Sequence, residues 1–198
     1  MSTTAVASAT PVSTPSPIST AVPVAALRKG GLYIVLRHGV SDVGTESALV
    51  DLENCATQQN LNEQAKRDLA VMGADLAALA IPIGSVLSSP YCRTMESARI
   101  VFPGKQITPN DILLRSAYVP VAGRPVPASS DQRLTAFKQM LATVPAGATN
   151  VALVTHGEVM RGATNVDAAM GETLIVEPDG KGAFSVLARV LPLGWKAP

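Results

Sequence analysis

The stretch LYIVLRHG, residues 32–39, is an apolar run that ends in Arg37, His38 and Gly39. A continuous apolar run of this length is typical of a strand buried on both faces of a parallel sheet. The stretch VALVTHG, residues 151–157, repeats the pattern and contains the second of the only two histidines in the chain. Parallel sheets bind their ligands at the carboxyl ends of their strands. We therefore expect both histidines at one ligand-binding edge of a sheet.

Strand patterns and helix patterns alternate along the rest of the chain. Strands are expected at 32–37, 85–88, 112–114 and 151–155, with an edge strand near 106–108, and helices at 62–79, 90–101, 130–141 and 159–163. Asn62 is the expected N-cap of the first helix, Pro90 the first residue of the second, and Asp131 or Ser130 the cap of the third. Residues 172–191 are typical of a β-hairpin with its turn at 178–182. This order predicts an α/β three-layer sandwich, with a mixed, mostly parallel sheet, helices on both faces and a C-terminal hairpin.

Composition bounds the domain organisation and the kind of ligand. Residues 1–26 hold four prolines and no charged side chain, which predicts a disordered Ala/Ser/Thr/Pro-rich tail before a single catalytic domain at 27–198. The net charge is +1 and no basic run occurs, which argues against nucleic acid as the ligand. No apolar stretch approaches the ~18 residues of a membrane span. The compartment stays open: periplasmic or secreted if a leader has been removed, otherwise cytoplasmic.

The only two cysteines, Cys55 and Cys92, leave two interpretations. They are either unconnected thiols or one disulfide, and a disulfide would favour an oxidising compartment. Their spacing matches no zinc or redox motif, and carboxylates do not cluster at ligand spacing, so we expect no metal and no cofactor.

The side chains beside the histidines suit phosphate chemistry. A neutral imidazole can attack phosphorus, and the doubly charged phosphate monoester requires cations around it. The guanidinium groups of Arg37 and Arg93 offer rigid forks of donors that match phosphate oxygens. Backbone N–H groups at Gly39, Gly157 and the start of the helix after Pro90 can add donors to the same anion. The sequence therefore predicts a phosphoryl-binding pocket.

Three motifs in order, LRHG at 36–39, SSPYCRT at 88–94 and VTHG at 154–157, resemble those of the histidine phosphatase superfamily, which has the phosphoglycerate-mutase-like fold. The resemblance covers residues 32–195. It implies that His38 is the nucleophile that forms a phosphohistidine, and that Arg37, Arg93 and His156 bind the transferring phosphoryl group. Ser41 stands where a small hydroxyl residue is common, and it either contacts the phosphate or caps its own loop.

The proton donor is the weakest point of the resemblance. Members close to the mutases carry this acid in the middle of the chain, but the matching stretch, LLRSAY at 113–118, contains no carboxylate. Glu158 follows His156 by two residues, as the donor does in the acid-phosphatase branch, so it is the expected acid; the alternative is an exposed first-turn glutamate favoured by the helix dipole. The other candidates are carboxylates of the polar segment 39–60, which we expect to fold over the site: Asp42, Glu46, Asp51 and Glu53.

The missing central acid and the short chain argue against a phosphoglycerate mutase and a phytase. What remains resembles the small bacterial phosphatases of the superfamily, which predicts a metal-independent phosphoric monoester hydrolase. Its substrate would be a small phosphorylated molecule or a phosphoprotein, selected by the loop ENCATQQN at 53–60. Two alternatives stay open: a phosphomutase, and a catalytically idle phosphate-binding module.

Overall fold

One six-stranded sheet forms the centre of the protein. The computed structural model describes residues 18–42, 44, 46, 50–118 and 128–196. The strands are β1 (Tyr33–Arg37), β2 (Ile83–Ser88), β3 (Ile107–Pro109), β4 (Asn150–Thr155), β5 (Thr173–Pro178) and β6 (Phe184–Val190). Their spatial order is β3-β2-β4-β1-β5-β6. Strands β1 to β4 are parallel, whereas β5 and β6 form an antiparallel hairpin beside β1. The mixed, mostly parallel sheet and the C-terminal hairpin are confirmed.

Helices cover both faces of this sheet. They are α1 (Val24–Lys29), α2 (Glu63–Ala78), α3 (Cys92–Val101), α4 (Ser130–Leu141) and α5 (Gly157–Thr164). Successive side chains of a strand point to opposite faces, and in β1 Ile34 and Leu36 join the core under α1, α2 and α3. Tyr33 and Val35 join the core under α4 and α5. The three-layer α/β sandwich is therefore confirmed.

The neighbouring positions of β1 and β4 decide where the two histidine motifs lie. These strands run parallel, and Arg37 pairs in register with Thr155, the last residues of the two strands. The backbone N–H of His38 continues the ladder by donating to Thr155 O at 3.1 Å. Both His-Gly segments thus leave the same edge of the sheet, side by side.

Two helix starts differ from the sequence prediction. Asn62 caps α2 as expected, accepting from Ala65 N. The helix expected from Pro90 instead begins at Cys92, because Ser89 N still donates to Val154 O and keeps the chain paired with β4. The cap of α4 is neither Asp131 nor Ser130. Ser129 takes that place in a capping box with Gln132, where each side chain accepts from the other residue's backbone N–H.

The prediction of a strand at 112–114 was wrong. Residues Asp111–Leu113 form one turn of 3-10 helix, which begins where the Asn110 side chain accepts from Ile112 N at 3.0 Å. The sheet already ends at β3, the edge strand found close to the expected 106–108. Leu113 and Leu114 are buried, but an apolar run of this length does not by itself distinguish a strand from a buried turn.

The N-terminal segment is described from residue 18 onwards. Ser19 forms a bridge to Ala188 of β6, and Leu27 of α1 is fully buried. The boundary expected at residue 26 falls inside α1, and residues 1–17 of the expected tail lie outside the described residues, as do 119–127 of the proline-rich loop. Within the described part of the chain, no helix is long and apolar enough to cross a membrane.

Candidate active site

A cavity of about 140 Å³ opens at the edge where β1 and β4 end. Its lining residues are Arg37, His38, Ser41, Gln59, Arg93, Arg115, His156, Glu158 and Met170. All the site residues chosen from the sequence are in this set, although they come from three separate motifs. The sequence reasoning did not single out Arg115 and Met170.

Hydrogen bonds fix the tautomer of His38, which is 5% exposed. Its Nδ1 lies 2.8 Å from the carbonyl oxygen of Gly39, and because a carbonyl can only accept, Nδ1 must carry the proton. Nε2 then holds a lone pair. Arg93 Nε–H donates to that lone pair at 3.3 Å. A lone pair of His38, rather than an N–H, therefore faces the Arg93 guanidinium.

Burial and nearby cations keep both histidines neutral. Burial, with the charges of Arg93 and Arg37, lowers the pKa of His38 to about 3, although the bond to Gly39 opposes the shift. Burial also lowers the pKa of His156 well below its ordinary value, with further effects from His38 and Arg93. The two rings meet edge to face, with centroids 5.3 Å apart. Two neutral imidazoles therefore share the cavity at neutral pH.

The guanidinium of Arg37 is held from two sides. Its Nη1 donates to Ala168 O at 2.7 Å, and its face lies against Gly157, where an added Cβ would stand 2.7 Å from Cζ. Its Nε is buried without a hydrogen-bond partner. A buried N–H of this kind is costly unless a ligand or water satisfies it. Arg37 therefore lines the cavity and keeps one N–H that no protein group uses.

Tyr91 packs between the other two phosphate-binding candidates. Arg93, which is 3% exposed, lies over the Tyr91 ring at 4.5 Å, and the His156 ring meets the same ring at 5.0 Å. Ser89 Oγ lies 2.9 Å from His156 Nε2 and completes its support. Burial and the charge of Glu46 raise the pKa of Tyr91 to about 12, so the phenol stays neutral. In the motif SSPYCRT, the residues before Arg93 thus build the wall that orients it.

Two carboxylates reach this region and differ in their contacts. Glu46 accepts from Arg93 Nη1 at 2.6 Å through one oxygen and from Arg115 Nη1 through the other. Glu158 Oε1 lies 3.5 Å from Arg115 Nε, and it is buried without a hydrogen bond. The other acids considered from the sequence, Asp42, Asp51 and Glu53, are not among the described residues that line the cavity.

Arg115 is the cation that the sequence reasoning missed. It belongs to the stretch LLRSAY, which drew attention only because it lacks a carboxylate. Arg133 of α4 donates to Arg115 O at 3.0 Å and fixes its backbone. The sequence did contain a signal for Arg115, because it directly follows two apolar residues, Leu113 and Leu114, that are buried. A charged side chain at this point has to lie outside the core, at the edge of the sheet.

A disulfide settles the question left open for the cysteines, because Cys55 and Cys92 are bonded. The bond ties the loop 53–60 to the first residue of α3, next to Arg93. Gln58 strengthens this link, since its side-chain oxygen accepts from Cys92 N at 2.9 Å. Gln59 lines the cavity, whereas Glu53, Cys55 and Asn60 line a neighbouring groove of about 910 Å³. The loop 53–60, which is expected to select the substrate, therefore lines both the cavity and the groove.

The fold is similar to that of several solved structures, although the sequence matches no protein-family model and no curated protein. The protein histidine phosphatase SixA, solved with tungstate, superposes with a TM-score of 0.56 at 15% identity, over 83% of this chain and 99% of SixA. YhfR from Bacillus stearothermophilus superposes with a TM-score of 0.55 at 19% identity, over 79% of this chain and 95% of YhfR. The protein of the open reading frame Rv3214 from Mycobacterium tuberculosis superposes with a TM-score of 0.51 at 17% identity, over 78% of this chain and 94% of that protein. At these identities the likeness concerns the fold.

Proposed function

Because the chain has the fold of the histidine phosphatase superfamily, we propose that it is a phosphomonoesterase that works through a phosphohistidine on His38. One observation carries the proposal. His38, in the tautomer set by Gly39 O, lines a cavity with three guanidinium groups and carries a lone pair on Nε2. A neutral nucleophile beside fixed cations is the arrangement that transfer of a dianionic phosphoryl group requires.

In the first step, Nε2 attacks phosphorus, an N–P bond forms and the P–O bond to the alcohol breaks. The lone pair on His38 Nε2 that accepts from Arg93 Nε is used to bond phosphorus. Arg93 Nε then donates to a phosphoryl oxygen instead. The unpartnered Nε of Arg37 donates to a second oxygen. His156 contributes to the same clamp. Phosphoryl transfer is catalysed mainly by such positioning and charge.

Glu158 is the proposed proton donor to the leaving alkoxide. Glu158 lines the cavity and its Oε1 makes no hydrogen bond, so its carboxyl group is available to hold a proton for the substrate oxygen. Glu46 is less suited, because both of its oxygens already accept from guanidinium groups and leave no place for a transferable proton. In the second step, the Glu158 carboxylate takes a proton from water while the water oxygen attacks phosphorus. The N–P bond breaks, and inorganic phosphate and free His38 result.

The size of the cavity bears on the substrate. About 140 Å³ is well below the roughly 300 Å³ or more of a pocket that encloses a whole small ligand. The cavity therefore suits the phosphoryl group, with the alcohol part outside it, on a small molecule or on a phosphoprotein. The disulfide supports an oxidising compartment for the reaction.

The test is phosphoenzyme trapping. Wild type incubated with ³²P-labelled acetyl phosphate and quenched in alkali is expected to retain label, and His38→Ala is expected to lose both label and hydrolysis. Phosphate binding without turnover in wild type would indicate the idle module, and transfer to an added alcohol in preference to water would indicate a phosphomutase. Label on His38→Ala would contradict the proposed nucleophile.

A leaving-group comparison tests Glu158. An alkyl phosphate such as β-glycerophosphate needs a proton on its departing oxygen, whereas p-nitrophenolate departs without one. Glu158→Gln is therefore expected to slow hydrolysis of the alkyl ester by roughly 100-fold or more while affecting p-nitrophenyl phosphate much less. Glu177→Gln, at an exposed position of β5 that lines neither the cavity nor the groove, is the matched control. Equal losses on both esters in Glu158→Gln would exclude the donor role.

A further inference from the structure

One buried carboxylate, that of Glu172, has no role in the proposed reaction. Glu172 is 3% exposed and lies just before β5. Its carboxylate accepts from Arg189 Nε at 2.6 Å, from Arg189 Nη2 at 2.8 Å and from Ala169 N at 2.7 Å. Burial alone would raise the pKa of Glu172, but these hydrogen bonds hold it below its ordinary value. The group is therefore a buried carboxylate ion with a bidentate arginine partner.

Residues 167–172, which we name the support loop, connect this ion pair to the catalytic strand. Ala168 O accepts the hydrogen bond from Arg37 Nη1 at 2.7 Å. Gly171 N donates to His38 O at 2.9 Å, and Arg37 N donates to Glu172 O at 3.0 Å. The support loop thus holds the side chain of Arg37 and also the backbone around His38.

Arg189, on β6, holds the support loop at both of its ends. Besides its two bonds to Glu172, its Nη2 donates to Asp167 O at 3.3 Å. The Glu172 carboxylate in turn fixes Ala169 N, the residue next to the carbonyl that Arg37 uses. Neither Arg189 nor Glu172 lines the cavity. The pair therefore has no contact with the cavity except through the support loop.

We propose that the Arg189–Glu172 ion pair is a positioning device for Arg37: it keeps the support loop in the shape that aims the free Nε of Arg37 at the phosphoryl group. This inference rests on the proposed function. The competing interpretation is an ion pair that contributes only to stability. The two differ because a positioning pair acts through Arg37, whereas a stabilising pair does not.

The first measurement is the affinity for inorganic phosphate, by calorimetry, together with kcat/KM on p-nitrophenyl phosphate. Glu172→Gln keeps the shape of the side chain but removes its charge, and both quantities are expected to fall about 10- to 100-fold, as for a small displacement of a binding group. Arg189→Lys keeps the charge but not the bidentate geometry, so an intermediate loss is expected. Unchanged phosphate affinity in Glu172→Gln would overturn the inference.

The decisive measurement repeats Glu172→Gln in an Arg37→Ala background. If the pair acts through Arg37, the second substitution is expected to cause no further loss of phosphate affinity, whereas a separate role would make the losses multiply. Phosphate binding does not require attack by His38. If no phosphoenzyme is trapped but Glu172→Gln causes no further loss in the Arg37→Ala background, the proposed function alone is refuted. If a phosphoenzyme is trapped but the two losses of phosphate affinity multiply, the positioning role alone is refuted.

A stability control separates local from global effects. Leu76→Ala removes a buried side chain of α2 that does not line the cavity and belongs to a different core cluster from Ala168 of the support loop, and it is expected to destabilise the protein with unchanged phosphate affinity. If Glu172→Gln does not fold, Arg189→Lys is combined with Arg37→Ala and the same comparison of phosphate affinities is made. Weaker phosphate binding in Leu76→Ala of the same size would count against positioning.

Discussion

The two glycines that follow the histidines meet different neighbours, although the His-Gly pattern is the same in both motifs. A Cβ at Gly39 would lie 2.9 Å from a methyl group of Leu69 on α2, so this position allows strand-to-helix packing. A Cβ at Gly157 would lie 2.7 Å from Arg37 Cζ. Gly157 therefore makes room for the Arg37 guanidinium, so the backbone of one histidine motif lies against the arginine of the other.

Gly157→Ala is expected to push the Arg37 guanidinium away from its place. Affinity for inorganic phosphate and kcat/KM should fall about tenfold or more, while the unfolding free energy changes little, because alanine suits a helix better than glycine. Calorimetry and p-nitrophenyl phosphate hydrolysis measure the effect. Gly162→Ala, in the same helix, meets only the flexible end of Leu134 and should keep wild-type affinity. Equal behaviour of the two variants would contradict this account.

At the scale of elements, α3 reaches the site through three supports. Ser89 keeps pairing with β4, Thr94 Oγ1 donates to Ser89 O at 2.7 Å, and the disulfide holds Cys92 to the loop 53–60. Together they determine where the first turn of α3 points, and hence where Arg93 lies. The helix start differs from the expected Pro90 because these contacts, rather than the local preference of proline, decide where the helix begins.

Breaking the disulfide should cost both stability and activity. Closing a loop with a separation of 37 residues corresponds to at most about 4 kcal/mol of unfolding free energy. Cys55→Ser with Cys92→Ser is expected to show a loss of roughly 2–4 kcal/mol and a lower kcat/KM. Fluorescence of the sole tryptophan, the fully buried Trp195, reports unfolding.

A thiol reductant is the matched control for that variant. The reductant should lower the unfolding free energy and kcat/KM of wild type to those of the double serine variant, and it should leave both quantities unchanged in the variant. Unaltered stability of reduced wild type would show that the bond adds nothing to the folded state.

For the whole molecule, the buried neutral histidines link folding to pH. In the unfolded chain a histidine binds a proton below about pH 6.5, whereas folded His38 does so only near pH 3. Between these values the unfolded state binds more protons, so the unfolding free energy must decrease as the pH falls. His156 adds to the effect in the same direction, because its pKa is lowered as well.

Urea unfolding of wild type and His38→Asn at pH 7, 6 and 5 tests this linkage. The stability of wild type relative to the variant is expected to decline below pH 6.5, by at most about 1.4 kcal/mol per pH unit. Carboxylates titrate in both proteins and cancel in the difference. A constant difference between the two curves would mean that His38 is not kept neutral by the fold.

The sequence by itself determined the sheet class and the chemistry of its edge. Apolar runs of five or six residues that end in a polar residue and glycine are typical of strands covered on both faces, and LRHG and VTHG end such runs, so Arg37, His38 and His156 were expected at one edge of the sheet. The capping residue Asn62 and the hairpin around 178–182 were also predictable, because capping and turn formation depend on neighbouring residues.

Only the tertiary structure decided which partners these residues meet. Arg115 beside Glu158, the Cys55–Cys92 bond and the Arg189–Glu172 pair behind Arg37 all join residues far apart in the chain. The same holds for residues 112–114, whose buried turn replaces the expected strand because the sheet has already ended at β3. Local sequence encodes periodicity and capping, but burial, pairing and the pKa values of His38 and His156 depend on what the folded chain packs around them.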